Sequence, residues 1–311
     1  MNTRTFAGRL AQGLVVLLIT FTAAFFLLSA LPSDGILARY AGPDLGLSLA
    51  EIEQIRADFG ADDPLIVQYF STLTGFLTGE FGYSVQTGSA VSTMLAEALP
   101  GTIVLALAAF AVAVVLALGI AAVAALERPR WLAAAVRQLP ALMVSWPSFW
   151  VGIILIQVVS FQLGWVPVIE PSEAQALILP AITLAIPVAA PLAQVLVRSV
   201  EDVKTQPFVA ATRARGASPT WLFWRTVLRS ALLPAVTMAG LIFGELVGGA
   251  VVTEAVFGRR GLGALTVDAV AYRDTPVLLA VVVISAAAFV LINLIVDLIY
   301  PLLDPRLREK R

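Results

Sequence analysis

Long runs without charge constrain the fold of this chain more than any other feature. Crossing a hydrocarbon core of ~30 Å as a helix takes about 20 apolar residues. The chain is 59% hydrophobic and 13% charged, whereas soluble domains have roughly 25% charged residues. Five runs contain no ionisable residue and a sixth is interrupted only by Glu245: 10–33, 98–126, 138–169, 174–197, 275–296 and 230–253. The sequence therefore predicts an all-α integral membrane protein with six transmembrane helices.

The six runs place the transmembrane helices near 10–31, 101–125, 141–163, 177–197, 231–252 and 277–299. The first follows Arg4 and Arg9, as the core of a secretion signal would. Its apolar run is longer than the ~7–15-residue core of a signal, and no small-residue cleavage site follows it. We therefore expect it to be a retained membrane anchor.

The distribution of basic residues predicts the orientation, because cytoplasmic segments carry an excess of Lys and Arg. With a cytoplasmic N-terminus, only five of the 20 basic residues lie outside: Arg39, Arg56, Arg259, Arg260 and Arg273. The opposite orientation would place the basic segment 198–230 outside. Both termini are therefore predicted to be cytoplasmic.

The segment 33–98, between the first two spans, is predicted to be an extracytoplasmic helical region. Ser48 and Glu51 have the spacing of a capping box, and Gly60 suits the residue that closes this helix. A second helix starts at Pro64. These helices could lie along the membrane surface, dock a partner, or pack on neighbouring spans. The predicted organisation is 1–32 for the N-terminal segment and first span, 33–98 for this region, and 99–311 for the core membrane domain, which includes the cytoplasmic loop 198–230.

The segment 198–230 is predicted to be a capped pair of short helices. Pro207 suits a first helical position and Gly216 the left-handed residue that ends a helix. Ser218 and Pro219 then cap and begin the second helix. A solvated loop obeying the positive-inside rule would explain the arginines but not these caps. The first helix, 207–215, is too short to bury a core of its own, so we expect it to dock against something.

The sequence "ATRARG" at 211–216 resembles the cytoplasmic "EAA" loop of ABC-importer permeases, in the form typical of the dipeptide/oligopeptide/nickel branch. Ala210 stands where the name-giving glutamate would be, and "LLP" at 232–234 comes later than in sugar-importer permeases. Both departures are typical of that branch. Seven further segments resemble it in the same order: 29–34, 62–84, 97–109, 145–152, 163–167, 246–265 and 292–308.

This resemblance implies the transmembrane domain of a type I ABC importer, whose coupling helix seats in a cleft of the ATPase. The residues expected at that contact are Phe208, Ala210, Ala211, Arg213, Arg215 and Gly216. The implied partners are a second homologous permease, two ATP-binding subunits, an extracytoplasmic substrate-binding protein and membrane lipid, with no nucleic acid. We expect a multi-pass protein of the bacterial inner membrane, without a cofactor of its own.

The chain shows no site for ATP hydrolysis. A P-loop ends in Lys-Ser/Thr after a Gly-rich turn, and neither Lys204 nor Lys310, the only lysines, ends such a turn. ATP and Mg are therefore expected on the partner subunits. The chain also has no Cys or His, and no nucleophile–base pair or metal-ligand cluster is evident, so it is predicted to be a permease and not an enzyme.

The candidate translocation path runs along the fifth span. Gly240, Gly244 and Gly248 recur every four residues on one face, which suits either a helix that slides at the pore or static close packing. A charge at mid-bilayer costs about 2.5–3.5 kcal/mol. Glu245 could therefore line the cavity and meet the amino group of a peptide, or be a protonated or paired helix contact.

Two further sets of residues admit two interpretations each. Five prolines in or beside the third and fourth spans could shape the fold as static kinks or act as hinges: Pro140, Pro147, Pro180, Pro187 and Pro191. Four charged residues on the predicted outer loop could dock the binding protein or form an ion-pair cluster: Glu254, Asp268, Arg273 and Asp274.

Import of di- or oligopeptides is the predicted function, because peptides are the commonest cargo of the branch that the chain resembles. Chelated nickel, haem, opines and saccharides remain alternatives within the same importer type. A remoter alternative is an ion-coupled secondary transporter with Glu245 and Asp297 as proton carriers. Three observations argue against this alternative: the chain has no histidine, it shows no detectable inverted repeat, and a secondary transporter would give the capped helix pair no role.

Overall fold

The computed structural model describes residues 3–30, 35–40, 47–58, 60–126 and 129–303. Among these residues there is no β-strand, only an isolated antiparallel bridge between Tyr83 and Ala90. The helices are α1 (Thr3–Ser29), α2 (Gly35–Tyr40), α3 (Leu49–Asp58), α4 (Leu65–Thr78), α5 (Val91–Leu126), α6 (Arg130–Ser145), α7 (Ser148–Leu155), α8 (Gln175–Lys204), α9 (Pro207–Ala214), α10 (Pro219–Leu222), α11 (Leu228–Phe257), α12 (Leu262–Ala271) and α13 (Thr275–Leu303). Two π-helical stretches, Ile156–Gln162 and Phe223–Val227, follow α7 and α10 directly.

Within the described part of the chain, five helical stretches are long and apolar enough to cross a membrane: Ala7–Ser29, Val91–Ala125, Gln175–Lys204, Pro219–Phe243 and Thr275–Val296. A sixth crossing is obtained if the pair 131–145 and 148–162, bent by 103°, counts as one span. The predicted all-α membrane fold is confirmed on that basis.

The third predicted span, 141–163, is wrong as a single straight helix, because the chain breaks between Ser145 and Ser148. Trp146 is extended, with φ −93° and ψ 124°, as the residue before a proline tends to be. Pro147 has no N–H to continue the helical hydrogen bonds and precedes the first residue of α7. By contrast, α8 stays helical through Pro180, Pro187 and Pro191.

The chain forms two compact units. The first contains Ile103–Phe257 and the segment from Ile292, and the second contains Asn2–Thr102 and Gly258–Leu291. In the first unit, α8 packs on α6, α7 and α11. Its interior is built largely from small side chains, among them the fully buried Ala185 and Ala189 beside Leu184 and Leu246. Small residues let helix backbones approach closely, as packing within a membrane requires.

In the second unit, α4 packs on α1 and α13. Phe21 and Phe25 of α1 and Leu279 of α13 are buried against Tyr69, Leu73 and Phe76 of α4. The Tyr69 hydroxyl lies 2.9 Å from Thr22 Oγ1. One of the interpretations left open above, packing of this helix on neighbouring spans, therefore holds for this face of α4.

The predicted capping box of α3 is present. The Ser48 backbone N–H donates to Glu51 Oε2 at 2.7 Å, and the Glu51 N–H donates to Ser48 Oγ at 3.3 Å. Donation by the Ser48 N–H, and then by its hydroxyl, lowers the pKa of Glu51 from its ordinary value of 4.5. Gly60 has the left-handed φ of 65° expected after this helix.

Candidate coupling surface and transport path

The capped helix pair forms as the sequence predicts. Pro207 occupies the first position of α9, after Gln206 in extended conformation. The helix ends at Ala214, one residue before the predicted end, and the Gly216 N–H donates to the Arg213 carbonyl at 3.0 Å. Gly216 has a φ of 87°, which an L side chain rarely adopts. The glycine at this position therefore has a conformational cause.

The second helix of the pair continues into the fifth span. The Ser218 hydroxyl accepts the Trp221 N–H at 3.3 Å, and Pro219 is the first residue of α10. From Pro219 the chain stays helical through the π-helical stretch and α11 to Phe257. The stretch Phe223–Val227 is helical as predicted, but its π geometry gives no signal in the sequence. A displacement at the start of α10 would thus act on one continuous helix.

Val209 anchors α9 to the rest of the first unit. Its side chain is 1% exposed and belongs to a cluster that includes Val200 of α8 and Leu222, Phe223 and Val227 after the turn. Val209 is not among the residues predicted from the sequence, where its only signal is an apolar side chain within a basic helix. Its burial fixes which face of α9 points outward.

The six residues predicted for the ATPase contact are all exposed. We call them the coupling surface: Phe208, Ala210, Ala211, Arg213, Arg215 and Gly216. Phe208 is 45% exposed, a large apolar side chain beside two arginines. An exposed apolar residue next to positive charge suits a protein partner with an apolar cleft and acidic groups.

Two polar contacts hold the end of α8 just before α9. The Lys204 ammonium donates to the Ala125 carbonyl at 2.9 Å, in the last turn of α5. A cation there satisfies a carbonyl left unpaired by the helix end and complements the helix dipole. Arg137 Nε of α6 lies 3.1 Å from Glu201 Oε1. Neither contact has a signal in the sequence, because both join segments far apart in the chain.

The glycines of α11 differ in their surroundings. A Cβ at Gly240 would lie 2.4 Å from Val296 Cγ1 of α13, so the two helices pack closely there. A Cβ at Gly248 would meet nothing within 4 Å. Gly244 and Glu245 lie in α11, but their side-chain environment falls outside the described part of the structure, as does that of Asp297. Close packing is therefore observed at Gly240 and open space at Gly248.

Asp274 holds a distant loop in the second unit. Its side chain is 3% exposed. Its Oδ2 accepts the Ser84 hydroxyl and, at 3.4 Å, the Gln86 N–H, while Oδ1 accepts the Val85 N–H at 3.2 Å. The ion-pair interpretation is thus wrong for Asp274, because each of these three donors is neutral.

The other three residues of the predicted outer cluster differ from Asp274. Asp268 and Arg273 are exposed, and Glu254 is buried within α11. Asp268 and Arg273 remain available to a docking partner, whereas Glu254 does not. The four charges therefore do not form one surface, although the sequence grouped them.

Three features together define the membrane subunit of a transporter: apolar spans, a capped helix pair before the fifth span, and an outward-facing basic surface. The chain belongs to the family described as binding-protein-dependent transport system inner membrane component. The model of that family matches residues 116–309. The model of its N-terminal part matches residues 3–106.

Similar proteins agree with this assignment. The glutathione transport system permease protein GsiC of Salmonella choleraesuis (strain SC-B67) is 37% identical over 303 residues, covering 97% of this chain and 98% of that protein. GsiC of Escherichia coli (strain K12) is 36% identical over the same length and coverage. A chain of the inward-facing MetNI methionine ABC transporter shares the fold, with a TM-score of 0.57 at 21% identity, over 68% of this chain and 96% of that one.

The predicted family, fold class and location are thereby confirmed. The chain is a multi-pass inner-membrane permease subunit of an ABC importer, and not an enzyme. Membership of this family implies that an ATPase and a substrate-binding protein work with it.

Proposed function

We propose that this chain forms half of the path through which an ATP-driven importer moves di- or oligopeptides. A second homologous permease supplies the other half, an extracytoplasmic protein delivers the substrate, and two ATP-binding subunits hold ATP and Mg. The coupling surface of α9 seats in one of those subunits. The observation that carries the proposal is that α9 is anchored through Val209 while all six coupling residues face outward.

The geometry suits the transmission of force. Because Val209 is packed into the cluster beneath α9, a push on α9 moves the packed side chains with it. The next helix runs without a break from Pro219 into the fifth span. We assign to the path the part of the glycine-bearing face of α11 around Gly248, where a Cβ would meet nothing within 4 Å, together with Gly244 and Glu245 on the same helix. Gly240 supports that helix by packing on α13.

Charge reversal tests the coupling surface. Arg215→Glu should lose co-purifying ATPase and substrate uptake together, because it places a like charge against an acidic cleft. Arg229→Glu is the matched control, since Arg229 is also exposed but lies on α11, outside the coupling surface. Equal ATPase recovery from the two variants would refute the docking role of α9.

The peptide class is supported by the relatives that are named as glutathione permeases, since glutathione is a tripeptide. Uptake into vesicles should therefore accept glutathione and other short peptides, and should continue when a protonophore removes the proton gradient. Exclusive uptake of chelated nickel, haem, an opine or a saccharide would replace the peptide assignment. Loss of uptake with the proton gradient would favour the secondary-transporter alternative.

Glu245 is proposed to meet the amino group of a passing peptide. Glu245→Gln should then slow the uptake of peptides with a free amine more than that of N-acetylated peptides, because only the former carry the positive charge. Equal losses for both peptide classes would remove this role and favour a helix contact.

A further inference from the structure

The helix α4 has an apolar face that no described residue covers. Ile66, Phe70 and Leu77 share one side of the helix and are 58%, 57% and 80% exposed. The whole segment 64–79 contains no Asp, Glu, Lys or Arg. With 14 residues, the helix is about 21 Å long, too short to cross a hydrocarbon core of ~30 Å. Water would be a poor environment for this face, because three large apolar side chains are exposed together on it.

The contacts of α4 lie well inside the first span. Tyr69 stacks on Phe26 with ring centroids 5.7 Å apart, and its hydroxyl lies 2.9 Å from Thr22 Oγ1. The apolar stretch of α1 extends to Ser29, so Thr22 is roughly 10 Å from its end at a rise of 1.5 Å per residue. α4 therefore packs on a part of α1 that hydrocarbon surrounds.

The exposed surface of α1 beside this contact is itself apolar. Phe26 is 42% exposed, and its neighbour Leu27 is 70% exposed. In a membrane span these side chains lie at the depth of the hydrocarbon, where lipid acyl chains take the place of solvent. Phe26 stacks on Tyr69, and the Tyr69 ring in turn contacts the ring of Phe70 with centroids 5.2 Å apart. The exposed face of α4 therefore adjoins the exposed apolar surface of α1 at Phe26, and this continuity identifies lipid as what covers α4.

Several polar groups of α4 are satisfied within the segment itself. The Thr74 hydroxyl donates to the Ser71 carbonyl at 2.8 Å, and the Thr78 hydroxyl to the Gly75 carbonyl at 3.0 Å. The Glu80 N–H closes the helix end on the same Gly75 carbonyl at 2.8 Å. Without such partners each group would cost several kcal/mol in hydrocarbon. These bonds make the segment compatible with a non-aqueous environment.

We propose that α4 lies half-embedded in the membrane leaflet on the side opposite the N-terminus, with Ile66, Phe70 and Leu77 against lipid acyl chains. The region between the first two spans is then a membrane-associated element over part of its length. Asp63 and Glu80, which border the uncharged segment, mark where the chain returns to the polar headgroups.

The absence of cysteine from the chain permits a direct test. In the full-length Phe70→Cys chain, a nitroxide spin label is attached to the single cysteine, and the labelled protein is reconstituted in phosphatidylcholine vesicles. The spin relaxation of the nitroxide is then measured in the presence of oxygen, which concentrates in hydrocarbon, and of a water-soluble nickel chelate. Glu53→Cys is the matched control, because Glu53 is exposed on the polar helix α3.

The label at position 70 should be more accessible to oxygen than to nickel, and the label at position 53 should show the reverse. Greater nickel access at position 70 would overturn the proposal. Protection of position 70 from both reagents that appears only when the partner proteins are bound would also overturn it, because a protein would then cover this face of α4. Leu77→Cys gives a second measurement on the same face if Phe70→Cys does not fold.

Discussion

Replacing Asp274 by asparagine should release the loop that contains Ser84–Gln86. The Ser84 hydroxyl accepts the Thr87 N–H at 3.0 Å and donates to Asp274. The carboxylate thus faces donors on both of its oxygens, from Ser84 and Gln86 on one and from Val85 on the other. An asparagine has one acceptor oxygen and one NH2 group, so either orientation of its amide sets a donor against a donor.

The magnitude follows from these bonds. A hydrogen bond to a charged group contributes about 1.5–3 kcal/mol, and a buried donor left unpaired costs about 1–3 kcal/mol. Asp274→Asn removes the charge and at least one acceptor from a site that is 3% exposed. We therefore expect the local free energy of opening to fall by about 3 kcal/mol, which is roughly 150-fold in the opening equilibrium.

Hydrogen exchange measures this opening. The Val85, Gln86 and Thr87 amides of the Asp274→Asn chain should exchange roughly 150-fold faster than in wild type, at the same pH. Asp268→Asn is the matched control, since Asp268 is exposed on α12, and it should leave these amides unchanged. Unaltered exchange in Asp274→Asn would refute the inference that this carboxylate holds the loop.

Three further predictions concern stability. Gly240→Ala should lower the thermal unfolding midpoint in detergent, because overpacking against Val296 costs about 1–3 kcal/mol. Gly248→Ala should raise the midpoint, because the better helix propensity of alanine stabilises the helix by up to about 1 kcal/mol. A shift of the same sign in both variants would contradict the packing described. Lys204→Met should destabilise the chain by about 1.5–3 kcal/mol in the same assay, because the hydrogen bond to the Ala125 carbonyl is lost. Arg198→Met, at an exposed position, is the control and should leave the midpoint unchanged. Equal midpoints for the two variants would show that the Lys204 bond does not stabilise the chain. Because the pKa of Glu51 is lowered, the stability that its carboxylate gives α3 is fully present above pH 4.5 and is lost as the pH falls through the folded pKa. When the pH is lowered through this range, the amides of residues 49–58 should therefore lose more protection from exchange in wild type than in Glu51→Gln. Parallel pH profiles in the two chains would show that the capping box is not the cause.

The sequence alone determined the features that depend on a few neighbouring residues. A charge-free run can be stable across a membrane only as a helix, so the apolar segments were predictable from composition along the chain. The caps at Ser48, Pro207, Gly216 and Ser218 were predictable for the same reason, since a cap acts within one helical turn. These local signals also carried the family resemblance.

Tertiary structure decided which surfaces meet. Asp274 and Ser84 are 190 residues apart in the chain, and neither carries a local sign of the other. Gly240 and Gly248 belong to one periodic pattern, yet Val296 of α13 lies against Gly240, whereas no described residue comes within 4 Å of a Cβ placed at Gly248. The same reason applies to Val209 and to the contacts of α4. Periodicity in the sequence shows that a helix has an apolar face, whereas the residues that cover that face depend on where distant segments pack.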